Sequence, residues 1–265
     1  MRKASFLLLL IIIIYVPNLL SQENYRVIKV NGQIIYVNTG NNMSQGDVFS
    51  EDENLSFGTQ NSRAAVINPS TGRFILTPEN YDDLSSGNSN FLPAMSNLST
   101  RGGAINNLAD LQSQFTDYLT IFHSASYHIN PNAFPMNDNS FFYLTFKYKG
   151  EDINKKLDFK GTKLTLARET ILKVDGQPVQ EIEFPIFTLY YLDDGEQNLI
   201  SDFAIIFPEP EEINPEIQII IDESKGKSYN AIVNDISGYV FEFYGKPDKE
   251  DVMYYLEKEF GLKKE

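Results

Sequence analysis

Short apolar runs alternate with turn signals from Tyr25 to Thr77. The runs YRVIKV and QIIYVN flank Asn31-Gly32, and the runs NLSF, RAAVIN and RFILT follow at short spacing. Asn-Gly is a strong signal for a two-residue hairpin turn, and Ser70-Thr71-Gly72 has the composition of a hairpin loop. Roughly five or six short strands in one such segment predict a small all-β module, either a barrel or a sandwich.

The first residues have the pattern of a signal peptide. Arg2 and Lys3 precede an unbroken apolar run, and Ser21 provides a small residue before Gln22. This order of a basic segment, an apolar segment and a small residue is typical of a secretory signal over residues 1–21. The run is shorter than the about 20 residues that span a bilayer. We therefore expect cleavage before Gln22, and an uncleaved anchor is the alternative.

The composition narrows the location and the partners. The chain has no cysteine, which excludes disulfides, thiol chemistry and a lipid-modified cysteine, and favours a bacterial envelope protein over a secreted eukaryotic domain. The formal net charge is −14, which disfavours binding to the phosphates of nucleic acids. We expect a periplasmic or secreted protein whose partner is another envelope protein, with no stable membrane anchor after signal cleavage.

The β segment carries a specific order of glycine turns and small residues. It runs VNGQIIYV, then MSQGDVF, then NLSFGTQNSRAAVI, then TGRFIL, with the matching positions at Gly32, Gly46, Asp47, Ala64, Ala65 and Gly72. In this order the segment resembles the periplasmic FecR-type β domain. The resemblance implies a β module used for envelope contacts over residues 22–78. The remainder of the chain resembles exported bacterial proteins without an assigned activity.

One departure limits what the resemblance implies. FecR-type regulators carry an anti-sigma segment ahead of a membrane helix. In this sequence only the residues Met1–Ser5 precede the apolar run. We therefore do not expect regulation of a sigma factor.

The rest of the chain predicts a linker and then an α+β module. Residues 79–104 are rich in Ser, Asn and Gly, which indicates a linker. Residues 105–122 have apolar positions at helical spacing, and SFFYLTFKYKG and FPIFTLYYLDD alternate as strands do. The run FAIIF is apolar throughout and predicts a central strand. The overall expectation is an α+β fold with an N-terminal all-β module, followed by a β-sheet module over residues 105–265 that C-terminal helices close.

Three helices are predicted at the C-terminus. Their apolar stripes are Ile213, Ile217, Ile220 and Ile221; then Ile232, Ile236, Tyr239, Val240 and Phe243; then Val252, Tyr255, Leu256 and Phe260. Asp248 is a good N-cap for the last helix, and Gly245 and Gly261 fit helix ends. Glu209-Pro210-Glu211-Glu212 fits the start of the first of the three helices. We expect these stripes to be core, and a docking surface for a partner is the alternative.

The search for catalytic chemistry finds few groups. His123 and His128 are the two histidines, and a shared metal site would need a loop between them and a third ligand such as Asp138. There is no G-x-S-x-G sequence for a serine nucleophile and no glycine-rich loop for a nucleotide. We therefore expect no cofactor.

The acidic group Asp193, Asp194 and Glu196 could bind Ca²⁺ or provide acid–base chemistry. An ordinary Asp-Gly turn is the alternative that we favour. Three functions remain open at this point. They are an envelope binding or scaffolding protein without catalytic activity, a carboxylate-based hydrolase of glycan or peptide, and an adaptor whose two modules bind separate partners.

Overall fold

A computed structural model describes residues 24–85, 104–179 and 186–264. The chain has an α+β fold and divides into two compact units, Met1–Leu92 and Pro93–Glu265, called here the first and the second unit. The predicted signal peptide, the cleavage position before Gln22 and most of the predicted linker lie outside the described residues. No helix in the described ranges is long and apolar enough to cross a membrane.

The first unit is a small β structure with one helix. Its elements are β1 (Asn24–Asn31), β2 (Ile34–Tyr36), β3 (Val48–Ser50), β4 (Leu55–Phe57), β5 (Arg63–Asn68), β6 (Gly72–Leu76) and α1 (Pro78–Ser85). A four-stranded sheet has the order β3-β1-β5-β6, and β2 pairs with β4. The strand-rich prediction for this segment is confirmed, and so is the hairpin loop at Ser70-Thr71-Gly72, since β5 and β6 pair antiparallel on either side of it.

The predicted hairpin at Asn31-Gly32 is wrong. Gly32 does turn the chain, with a φ of +78°, but β1 and β2 do not pair with each other. Near the turn β1 pairs with β5, its first residues pair with β3, and β2 pairs with β4. The local turn signal therefore marks a change of direction between two separate strand pairs.

The core of the first unit lies under its sheet. Tyr25, Val27, Val66 and Phe74 are buried there, and the ring of Tyr25 meets that of Phe74 edge to face at 5.1 Å. Helix α1 joins this core through Tyr81, whose hydroxyl donates to the carbonyl of Glu53 and accepts from the N–H of Leu55. Helical structure therefore occupies the first residues of the segment that the sequence analysis assigned to the linker.

The second unit combines two larger sheets and the two-stranded pair β13–β14 with a group of helices. Its elements are α2 (Leu108–Gln114), β7 (Tyr118–Thr120), β8 (Ser124–His128), β9 (Phe141–Tyr148), β10 (Glu151–Lys156), β11 (Asp158–Lys160), β12 (Lys163–Ala167), α3 (Arg168–Ile171), β13 (Lys173–Val174), β14 (Gln177–Pro178), β15 (Ile186–Asp193), β16 (Glu196–Ile206), α4 (Pro210–Glu223), α5 (Tyr229–Phe243), β17 (Lys246–Pro247) and α6 (Lys249–Phe260). Six strands form one sheet in the order β10-β9-β15-β16-β7-β17, and three form a second in the order β11-β12-β8.

The alternating pattern of β9 places one face of the large sheet in the core. Phe142, Leu144 and Phe146 are buried, as predicted, in one cluster with Leu164 and Leu166 of the small sheet. The run FAIIF lies at the end of β16, which is an interior strand of the large sheet. This prediction of a central strand is also confirmed.

The predicted helix over residues 105–122 is too long. Helix α2 ends at Gln114, and β7 begins at Tyr118. Asp117 lies between them with a φ of +55°, a left-handed conformation that a helix cannot contain. Leu119 is buried from a strand that pairs with Ile205 of β16. The position of Leu119 fits the apolar spacing of a helix, but in the structure this side chain is buried from a strand.

The three C-terminal helices are confirmed. Helix α4 begins after Glu209 with Pro210 in its first turn, as the charge run predicted. Asp248 caps α6 by accepting hydrogen bonds from the N–H groups of Glu250 and Asp251, and Gly261 ends that helix in a left-handed conformation. Most residues of the three apolar stripes are buried, and Leu256 is fully buried.

Candidate functional site

A buried carboxylate of α6 holds the loop between β7 and β8. One oxygen of Asp251, Oδ2, accepts a hydrogen bond of 2.7 Å from the N–H of Phe122, and Oδ1 accepts bonds of 2.9 and 3.0 Å from the N–H groups of His123 and Ser124. The side chain of Asp251 is only 1% exposed. Three consecutive backbone donors therefore converge on one carboxylate, which fixes the loop to the helix.

The same loop fixes the ring of His123. The backbone carbonyl of His123 accepts a hydrogen bond from the N–H of Arg168, so the residue is held on both sides of its Cα. Its ring lies edge to face against Tyr254, with the centroids 4.7 Å apart. The Nδ1 atom is buried 3.9 Å from Oδ1 of Asp251, and it has no hydrogen-bond partner among the described residues. The side chain is 40% exposed, so the opposite edge of the ring, with Nε2, is the part open to a ligand.

His123 lines a cavity of about 640 Å³, called here the histidine cavity. Its walls come from the β7–β8 loop, from α3 and from the β13–β14 hairpin. Phe122, Leu172 and Val179 provide apolar surface, and Arg168 and Lys173 provide basic groups. This volume lies in the range of about 300–1,000 Å³ that is usual for ligand sites.

The charged side chains around the cavity differ in whether other groups of the protein already bind them. The guanidinium of Arg168 donates to the carbonyl of Pro208 and to the carboxylate of Glu209, and it lies over the ring of Phe207. The side chain of Arg168 is therefore already held by contacts within the protein. Lys173 is exposed, and Glu169, also in the lining, is exposed as well. The groups that a ligand can meet are His123, Lys173 and Glu169.

Burial sets the ionisation of Asp251. The loss of water raises the pKa of this carboxyl above its ordinary range, and the three backbone donors and His123 act in the opposite direction. Burial is the larger of these causes. These donors are backbone N–H groups, so they are present whichever side chains occupy residues 122–124.

A second buried carboxylate lies between α4 and α5. The Oε2 atom of Glu216 accepts hydrogen bonds of 2.6 Å from the hydroxyls of both Tyr239 and Tyr244. Burial, with the neighbouring Glu216, raises the pKa of each phenol, so both hydroxyls keep their protons and act as donors. Nearby, the hydroxyl of Tyr255 donates to Asn214 and burial raises its pKa to about 12.

The site residues proposed from the sequence are spread over the second unit. His128 is exposed at the end of β8, and Asp138 is exposed in the loop before β9. Asp193 and Glu196 pair across the β15–β16 turn, where Asp194 and Gly195 have φ angles of +46° and +95°. The Asp-Gly turn expected for this group is therefore present.

Two of these regions do meet in the structure. The hydroxyl of Ser140, in the loop that contains Asp138, donates to Asp193 at 3.1 Å. Within residues 24–85, 104–179 and 186–264, no group of three or more His, Asp or Glu side chains could hold a metal ion. His123 is the one sequence candidate that lines the histidine cavity.

Sequence reasoning missed Asp251 and the residues that build the cavity with it. Asp251 lies three residues after the N-cap Asp248. In the structure its partners lie more than 120 residues earlier in the chain. The only local signal was an acidic residue at a position where apolar neighbours, such as Val252 and Tyr255, are buried.

Comparisons of the chain with models of protein families, with curated proteins and with solved structures found no match.

Proposed function

We propose that this chain is an exported binding or scaffolding protein of a bacterial envelope, with the histidine cavity as a ligand site. The observation that carries the proposal is the rigid presentation of His123 at an apolar cavity of about 640 Å³. Export rests on the signal-like residues 1–21, and the envelope location also rests on the FecR-like pattern of residues 22–78.

The geometry around Asp251 favours binding over catalysis. A histidine that acts as a general base is normally oriented by a carboxylate within hydrogen-bond distance. Here the separation between Nδ1 and Oδ1 is 3.9 Å, and both oxygens of Asp251 already accept backbone N–H groups. Asp251 therefore acts as a structural anchor for the loop, and His123 is placed as a group that contacts a ligand.

The lining indicates the chemistry of the ligand. An apolar body would contact Phe122, Leu172 and Val179, and a hydrogen-bonding or acidic group would meet His123 and Lys173 at the rim. Ligand sites commonly combine an apolar surface with a few polar groups that set orientation. We expect a small molecule or a peptide side chain of this mixed character, which could belong to a partner protein.

The site can be tested with a probe of the same character. The dye 8-anilino-1-naphthalenesulfonate has apolar rings and one acidic group, and we expect it to bind the native protein saturably with a rise in fluorescence. Ala167 lines the cavity, so Ala167→Phe fills it without removing a polar contact. This variant should lose the dye signal and the envelope partner in a pull-down.

Ala133→Phe is the matched control, since Ala133 is exposed in a loop outside the cavity. It should bind the dye and the partner as the unaltered protein does, and both variants should melt as the unaltered protein does. Retention of the dye and the partner by Ala167→Phe would contradict the proposed site. N-terminal sequencing of exported protein tests the export proposal separately, with Gln22 as the expected first residue.

The presence of two compact units, each with a core of its own, favours a second candidate, the adaptor. In that case the two units bind separate partners. Ala167→Phe would then remove one protein from the pull-down and leave the other, whereas a single-site protein would lose everything that it captures specifically.

A further inference from the structure

The first unit has a cavity of its own, of about 620 Å³, called here the polar groove. It lies between the turn after β2 and strand β3. The residues that matter for its chemistry are Tyr36, Thr39, Asn41, Asn42, Asp47 and Glu53. Most of its wall is formed by polar side chains, in contrast with the apolar wall of the histidine cavity.

The fold gives this groove a defined floor. After Tyr36 the chain reverses at Gly40, with a φ of +72°, and Asn42 returns to bridge with Ile35. The backbone N–H of Ser44 donates to Oδ2 of Asp47 at 2.8 Å, and the hydroxyl of Tyr36 donates to the same oxygen at 3.2 Å. The carboxylate of Asp47 is therefore held in place by two donors on one of its oxygens.

Several hydrogen-bonding groups along the groove have capacity left. Among the described residues, Asp47 accepts side-chain hydrogen bonds only at Oδ2, and the side chain of Asn42 uses only Oδ1, which accepts from Gln33. In the described part of the chain no hydrogen bond uses the side-chain amide of Asn41. Amide groups of this kind provide both donors and acceptors, and the spare oxygen of Asp47 provides a further acceptor.

An aromatic ring completes the wall. Tyr36 is half-buried beside the ring of Phe49, at a centroid distance of 6.4 Å. Burial and the Asp47 carboxylate raise the pKa of the Tyr36 phenol, so the hydroxyl keeps its proton and the bond to Asp47. One edge of the ring is thereby fixed, and Tyr36 lines the groove.

The charge of the groove excludes one class of ligand. Asp47 and Glu53 bring two carboxylates to its wall, and the described lining residues include no Lys, Arg or His. An anionic ligand would be repelled. A ligand rich in hydroxyl groups fits the mixture of donors and acceptors, because each hydroxyl can donate to a carboxylate and accept from an amide.

We infer that the polar groove binds a neutral carbohydrate, with Asn41, Asn42 and Asp47 as hydrogen-bonding residues and the ring of Tyr36 against the apolar face of a sugar. This inference goes beyond the proposed function. It concerns a different unit and does not depend on the histidine cavity.

The purified full chain should be titrated calorimetrically with four probes. These are the trimer of N-acetylglucosamine, cellotriose, trigalacturonate as an anionic sugar, and trilysine as a cationic peptide. We expect at least one neutral trisaccharide to bind and trigalacturonate not to bind. Asn41→Ala should weaken the neutral sugar about tenfold, because it removes hydrogen bonds to the ligand without removing a bond inside the described protein.

Asn132→Ala is the matched control, since Asn132 is an exposed residue of the second unit, and it should leave the affinity unchanged. Glu53→Gln separates charge from hydrogen bonding. A carbohydrate site should retain most of its affinity in this variant. The inference is overturned if neither neutral sugar binds, if Asn41→Ala binds as tightly as the unaltered protein, or if trilysine alone binds and is lost in Glu53→Gln, which would identify a cation site.

Discussion

Asp251 and Glu216, two buried carboxylates of the second unit, accept hydrogen bonds from different kinds of donor. Asp251 accepts three backbone N–H groups from the loop between β7 and β8. Glu216 accepts hydroxyl groups from Tyr239 and Tyr244. Both residues are almost inaccessible, with exposures of 3% and 4%. Each carboxylate therefore depends on hydrogen bonds to compensate for its loss of water.

The difference is in what remains when the carboxylate is removed. Side-chain donors can be removed together with their acceptor by replacing tyrosine with phenylalanine. Backbone donors cannot be removed, so an apolar residue in place of Asp251 leaves buried N–H groups without an acceptor. A buried unsatisfied donor costs about 1–3 kcal/mol. Asp251 is therefore held by donors that no substitution removes, whereas the donors to Glu216 include two tyrosine hydroxyls that substitution can remove.

The largest effect is expected from Asp251→Ala. It should lower the free energy of unfolding by about 3–4 kcal/mol, because three backbone donors lose their acceptor at once. Urea unfolding monitored by circular dichroism measures this loss. Glu250→Ala, at the neighbouring exposed position, is the control and should change stability by less than about 0.5 kcal/mol. A small effect of Asp251→Ala would show that water reaches the loop.

The next largest effect is expected at Glu216, because its tyrosine donors can be removed by substitution. Glu216→Met should cost about 2 kcal/mol, since the hydroxyls of Tyr239 and Tyr244 lose their common acceptor. The triple variant Glu216→Met, Tyr239→Phe, Tyr244→Phe should recover at least half of that loss, because donors and acceptor are then removed together. Urea unfolding of both proteins measures the recovery. A triple variant no more stable than the single one would remove the distinction between the two carboxylates.

A smaller effect should separate the two tyrosines. Tyr239 is fully buried, and Tyr244 is half-buried. Tyr239→Phe should therefore cost about 1 kcal/mol and Tyr244→Phe less, because water can replace the second donor more easily. Thermal unfolding of the two variants in parallel measures the order. The reverse order would mean that Tyr244 is the main donor to Glu216.

The smallest effect is the dependence of stability on pH. Burial raises the pKa of Asp251 in the folded protein, so between its unfolded value of about 3.9 and its folded value the native state holds more protons than the unfolded state. This carboxyl should therefore contribute less stability as the pH rises through that window. Urea unfolding from pH 3 to 7 should show that the stability advantage of the unaltered protein over Asp251→Asn decreases with pH. An advantage that grows with pH would show that the backbone donors outweigh burial.

The parts of this fold that local signals encode could be predicted. The N-cap at Asp248, the helix end at Gly261 and the turn at Asp194-Gly195 are set by residues adjacent in sequence, and all three are present. The pairing of β1 with β5 depends on which edges are free, and no local pattern encodes that. No local pattern encodes the histidine cavity either, because Asp251 accepts a hydrogen bond from the N–H of Ser124, which lies 127 positions earlier in the chain.

The order of strands in the large sheet has a consequence for how the chain folds. Strand β7 pairs in parallel with β16 and with β17, both of which follow it at long distance along the chain. Contacts between distant segments are slow to form, because a long loop must close first. The sheet edge next to the histidine cavity can be completed only after residues 246–251 have been synthesised. A chain that cannot finish folding before its last helix exists stays unfolded until its synthesis is nearly complete.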